Sequence, residues 1–118
     1  MRTMTVLLTL FVLLGFVNSP ASGEIMVKDF DQLKDVQWFK VYMRGVGTGY
    51  AHANSELRVN KQKQLYCQPG NLALTVDNYL RILDDEIQER RKEGQYIEDI
   101  PVELLLLKGL QKTFPCNK

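Results

Sequence analysis

The chain has 118 residues, 45% of them hydrophobic, with 15 Lys and Arg against 14 Asp and Glu and a formal net charge of +1. A length of this order makes one domain with a modest core. The charge balance excludes a basic surplus for binding a nucleic-acid backbone, and two cysteines with one histidine leave little material for a metal centre.

Residues 1–23 read as a cleaved signal peptide. Arg2 gives a positive start, residues 6–17 are apolar except for Thr9 and Gly15, and residues 18–23 are small or polar. Ala21 and Gly23 fit the minus-three and minus-one positions, and a cut after Ala21 is the alternative. The apolar run is shorter than the roughly 20 residues that span a bilayer, and no cysteine follows it to carry a lipid. Residues 24–118 are then expected to form a single domain without a membrane anchor, in the periplasm or the extracellular space.

The first predicted helix covers residues 31–53. Val36, Phe39, Met43, Val46, Tyr50 and Ala53 recur at three- and four-residue steps and share a face. Asp29 or Asp31 is the expected N-cap. Gly45, Gly47 and Gly49 each weaken a helix by roughly 1 kcal/mol relative to alanine. Gly45 and Gly49 lie on one face, where close helix packing within or between subunits is expected; a kink is the competing reading. Residues 54–64 read as a polar, solvated connection. Lys61, Lys63 and their glutamine neighbours could alternatively face an acidic partner.

Cys67-Gln68-Pro69-Gly70-Asn71 reads as a turn, with Asn71 able to cap the next helix. That helix is expected over 72–92. Leu72, Val76, Tyr79, Leu80, Leu83 and Ile87 form its apolar stripe, and Asp84 to Lys92 its solvated charged end. Glu86 and Arg90 make an i,i+4 pair, and Gly94 terminates the helix. Asp99 is the expected N-cap of a last helix over 100–112, with Pro101 in its first turn. Leu104 to Leu107 make this helix apolar nearly all round, hence the most buried one. No segment alternates as a strand does. The fold class is therefore all-α, a small bundle of about four helices.

Cys67 and Cys116 are an even pair in a short exported chain and read as one intramolecular disulfide. Closing a loop of about 50 residues stabilises the fold by about 4 kcal/mol in the chain-entropy model. The bond would clamp one end of the last two helices and leave the 93–99 loop at the other end.

Chemistry is sparse. His52 stands alone among small residues, both cysteines are committed to each other, and no carboxylates cluster at metal-ligand spacing. Gly45 to Gly49 lacks the Lys-Ser/Thr of a phosphate loop. These features argue against an enzyme, a cofactor and a metal. They favour binding through the loop Gly94-Gln95-Tyr96-Ile97-Glu98-Asp99, which sets an aromatic and an aliphatic residue among polar ones. Tyr96 and Ile97 could equally fold back as a staple on the following helix.

Tyr66-Cys67-Gln68-Pro69, the helix after it, and the run Ile100-Pro101-Val102-Glu103 through Phe114-Pro115-Cys116 resemble the Rap/Tai family, immunity proteins against type VI secretion amidase effectors. Tyr42, Gly45, Gly49 and Tyr50 resemble the family's first helix, so the likeness covers residues 36–116. Val102 and Gly109 stand where the family usually has alanine, and the charged stretch 84–93 is longer than the pattern. The resemblance implies a periplasmic, disulfide-clamped helical protein, often a homodimer. Its partner would be a peptidoglycan amidase of the cysteine–histidine type, inhibited by occlusion of its cleft. By position the plug would be the 93–99 loop, with Tyr96 and Ile97 as anchors and Glu98 and Asp99 at the rim. Two other readings fit a small, singly disulfide-bonded helical protein: a periplasmic acid-stress chaperone, and a structural subunit or adaptor.

Overall fold

The computed structural model describes residues 23–117. Of the expected signal peptide only Gly23 falls within this range; the rest lies outside it. The described chain is helical, with a 3-10 turn at Val27–Asp29 followed by α1 (Phe30–Leu33), α2 (Gln37–Val59), α3 (Val76–Lys92) and α4 (Val102–Thr113). A single isolated antiparallel bridge, Met26 to Pro101, is the only β-type pairing described. No described helix is long and apolar enough to cross a membrane. The all-α class and the Cys67–Cys116 bond are both present, with the two Cα atoms 4.9 Å apart.

The core is built from all parts of the described chain. Phe30, Phe39, Met43, Tyr66, Leu83, Ile87, Leu105, Leu106 and Leu110 are buried completely or nearly so. Phe30 and Phe39 meet edge to face with centroids 6.0 Å apart, which joins α1 to α2. The segment before α1 belongs to the core as well, because Val27 is fully buried. Its backbone runs beside the start of α4: Val27 N–H donates to Ile100 O at 3.0 Å, and Val102 N–H to Ile25 O at 2.9 Å.

Three helix boundaries differ from the sequence reading by four residues or more. The first long helix starts at Gln37 rather than 31, since residues 34–36 break the chain between α1 and α2. It then continues to Val59, six residues beyond its expected end. Asn54 explains the continuation. By its sequence this residue belongs to the solvated connection, yet it is buried and its side chain holds the chain that returns after the helix. Its amide donates to Tyr66 O at 2.6 Å, and its carbonyl oxygen accepts from Leu65 N–H at 2.7 Å. Two backbone groups of an irregular segment, one buried and one partly buried, are thereby satisfied.

α3 starts at Val76, not 72, and Thr75 rather than Asn71 caps it. The cap is reciprocal. Asn78 N–H donates to Thr75 Oγ1 at 3.3 Å, and Thr75 N–H to Asn78 Oδ1 at 2.9 Å. This is a capping box with asparagine in place of the usual Glu or Gln. α4 is capped by the extended backbone of Pro101, not by Asp99. It is also less uniformly buried than its composition suggests. Leu105, Leu106 and Leu110 are in the core, whereas Leu104 is 44% exposed.

The glycines of α2 divide differently from the expectation. Gly45 and Gly49 are exposed and meet open space within the protomer. Gly47 is the close-approach position: a Cβ there would lie 2.5–2.6 Å from three ring atoms of Tyr79. The helix passes through all three without interruption, so no kink occurs. On α4, Gly109 has the same function, since a Cβ would sit 2.8 Å from Ile82 Cγ2. That approach buries Glu86, a residue the charge run had placed on a solvated face. Its pairing with Arg90 is as expected, at 2.5 Å.

Candidate binding loop

The connection between α3 and α4 is fixed at nearly every residue. Gly94 adopts φ 76°, a left-handed conformation that favours glycine. Gly94 N–H donates to Arg91 O and Gln95 N–H to Arg90 O, both at 3.0 Å. This is a Schellman ending, which uses the last carbonyls of α3 and turns the chain sharply.

The two residues expected as twin anchors point in opposite senses. Ile97 is 1% exposed and belongs to the core. It therefore cannot enter a partner's cleft, and its expected role as an anchor is replaced by that of an internal peg. Tyr96 is 76% exposed. Its hydroxyl donates to Asp99 Oδ2 at 2.9 Å. The accepting carboxylate raises the phenol's pKa first by this hydrogen bond and then by its charge.

Glu98 is also committed internally. Arg91 grips it with a two-pronged pair, Nε to Oε1 at 2.9 Å and Nη2 to Oε2 at 3.1 Å. The third guanidinium nitrogen donates to Asp31 Oδ2 at 2.9 Å, which ties the loop to α1. The Glu98 hydrogen bond is the leading cause of the raised Arg91 pKa. Lys28 N–H donates to the Glu98 carbonyl at 3.1 Å, and the Lys28 ammonium approaches Asp99 at 3.7 Å. Partly exposed pairs of this kind contribute up to about 1 kcal/mol each. Their common effect is to hold one loop shape.

α4 separates this loop from the disulfide. The loop leads into the helix's first residue, and Cys67 N–H donates to Phe114 O just past its last turn. Twelve residues at 1.5 Å rise put the two ends about 18 Å apart.

The other sequence candidates remain apart. His52 is exposed on α2, and the described residues hold no group of three or more His, Cys, Asp or Glu arranged to bind a metal. Cys67 and Cys116 are bonded to each other.

No family model, curated protein or solved structure matches this chain.

Sequence reasoning missed the three residues that shape the loop: Arg91, Lys28 and Asp31. Arg91 looked like one more base in a charged run. Its pairing with Asp31 spans 60 positions, so no local pattern could mark it. Tyr42 and Tyr50, named above only for their likeness to the family's first helix, share a partner in Glu103. Tyr42 donates to a Glu103 carboxylate oxygen, and Tyr50 donates to the Glu103 carbonyl at 2.8 Å, which fastens α2 to the start of α4. Burial, followed by the Glu103 contact, pushes the Tyr42 phenol up to about 12.

Proposed function

We propose that this protein is an exported, periplasmic immunity protein that binds a peptidoglycan amidase effector of the type VI secretion system and blocks its cleft. The observation that carries the reading is the single outward aromatic on a braced loop. Tyr96 stands 76% exposed between a Schellman turn and the buried Ile97. Its ring offers apolar area at a small cost in conformational entropy, and the loop needs little ordering on binding. Glu93 and Asp99 flank it, so a matching cleft has an apolar floor and a rim rich in donors or basic groups. The resemblance of residues 36–116 to the Rap/Tai pattern supplies the class of partner, a cysteine–histidine amidase. The formed disulfide suits an oxidising compartment.

In this mechanism the protein performs no chemistry. Tyr96 fills the cleft, and the Arg91–Glu98–Asp31 network keeps it presented. The homodimer that the resemblance implies would use the exposed flank of α2, where Gly45 and Gly49 leave open space.

The test is titration of the purified protein against the amidase encoded beside its gene, with hydrolysis of peptidoglycan as the second readout. Tyr96→Ala should weaken binding by at least tenfold and restore hydrolysis while leaving the melting temperature unchanged. Unchanged affinity would move the interface away from this loop. Absence of any amidase inhibition, with suppression of client aggregation at low pH instead, would favour a chaperone.

A further inference from the structure

The end of α2 and the segment carrying Cys67 flank a half-open hollow of about 180 Å³. It shares no residue with the 93–99 loop. Ala51, Ser55 and Arg58 line it from the helix; Gln64, Pro69 and Leu72 face them from the returning chain. Among the described residues, Arg58 is the only charged one lining it, and no carboxylate does. The described residues give Arg58 no ion pair, unlike Arg90 and Arg91.

Both walls are built before any ligand arrives. Asn54 fixes the helix side to Leu65 and Tyr66 through their backbones. The disulfide holds Cys67, and the Gln68 amide donates to Leu72 O across the turn. The last carbonyls of α2 are also occupied, since Glu56 O, Leu57 O and Arg58 O accept from Asn60, Gln62 and Lys61 N–H groups. They therefore present less negative partial charge to an anion beside Arg58.

We propose that this hollow binds the carboxylate end of a peptide with small C-terminal residues. One guanidinium matches one carboxylate in a fork-to-fork pair and balances its single charge, whereas the same fork on a phosphate dianion leaves one negative charge unbalanced. Ser55 and Gln64 offer hydroxyl and amide groups for the last peptide bond. Ala51, Pro69 and Leu72 give apolar contact for methyl-sized side chains. The volume lies below the roughly 300–1,000 Å³ of pockets for drug-sized ligands, so the ligand is one or two residues of chain end.

The dipeptide Ala-Ala, its C-terminal amide and inorganic phosphate are the probes, read by amide and guanidinium chemical shifts of the 15N-labelled protein. Ala-Ala should move Ser55, Arg58 and Gly70, with a dissociation constant near 1 mM. The amide should bind at least tenfold more weakly. Arg58→Gln should also weaken Ala-Ala at least tenfold. Ser55→Glu, which keeps Arg58 but adds a competing carboxylate, should do the same, and both variants should keep the wild-type melting temperature. A folded carrier ending in Ala-Ala separates the sources. Binding of both carrier and dipeptide supports protein chain ends as the ligand; binding of the dipeptide alone supports a soluble peptide. Equal binding of the amide, tighter binding of phosphate, shifts confined to other regions, or indifference to Arg58→Gln would each overturn the proposal.

Discussion

Alanine at the three α2 glycines should give opposite signs within five residues. Gly45 and Gly49 are exposed, in a helix interior, and meet nothing within 4 Å. Alanine there gains helix propensity of about 0.8–1 kcal/mol with no steric cost. For a domain of this size that raises the melting temperature by about 4–8 °C. Gly47→Ala gains the same propensity but drives its Cβ to 2.5–2.6 Å from Cε2, Cδ2 and Cζ of Tyr79. Tyr79 is only 5% exposed, so its ring has no free space to swing into. Overpacking of this type costs about 1–3 kcal/mol or more. Subtracting the propensity gain leaves a net effect from near zero to about 2 kcal/mol of destabilisation. Urea unfolding of the three variants, followed by circular dichroism at low protein concentration, measures the midpoints. Gly45→Ala and Gly49→Ala should unfold later than wild type, and Gly47→Ala should not. A Gly47→Ala protein as stabilised as the other two would refute the close approach. Destabilisation by Gly45→Ala that grows with protein concentration would mean that a second copy covers this flank.

Three further outcomes are expected. Ile97→Ala should cost about 2–5 kcal/mol, as for a buried aliphatic side chain, while exposed Tyr96→Ala should stay within about 0.5 kcal/mol by the same denaturation measurement. Reducing Cys67–Cys116 should lower stability by about 4 kcal/mol, given its 49-residue separation, and a thermal melt with and without reductant reads this directly. Stability should also fall on the alkaline side. Burial pushes Tyr66 up to about 12 from its ordinary 10, so the folded state retains a proton that the unfolded chain releases. This contribution is complete below pH 10 and is lost as pH rises through 12. Tyr66→Phe should flatten the loss in a pH series of melts. Because the Tyr66 hydroxyl is buried without a partner, the same change should be neutral or stabilising at pH 7.

Much of the architecture is legible in local pattern. The steps Phe39–Met43 and Tyr79–Leu83–Ile87 mark core faces because a helix brings every third or fourth residue onto one side. Gly94 marks the end of α3 because few other residues tolerate its φ. Boundaries were harder wherever a distant group decided them. Asn54 reads as a polar residue leaving a helix until Leu65 and Tyr66 return to bond it. The sequence order Tyr96-Ile97 carries no mark of which side chain turns inward.

The sequence by itself determined an all-α chain, its helical faces and the one disulfide, since each follows from residue type and short-range spacing. Tertiary structure alone decided that Ile97 is a peg and Tyr96 a tip, that Gly47 rather than its neighbours takes the close contact, and that Arg91 braces the loop. The reason is physical. Helix periodicity acts over a few residues, whereas burial at Ile97 and Gly47 and the 60-residue reach from Arg91 to Asp31 exist only once the elements pack.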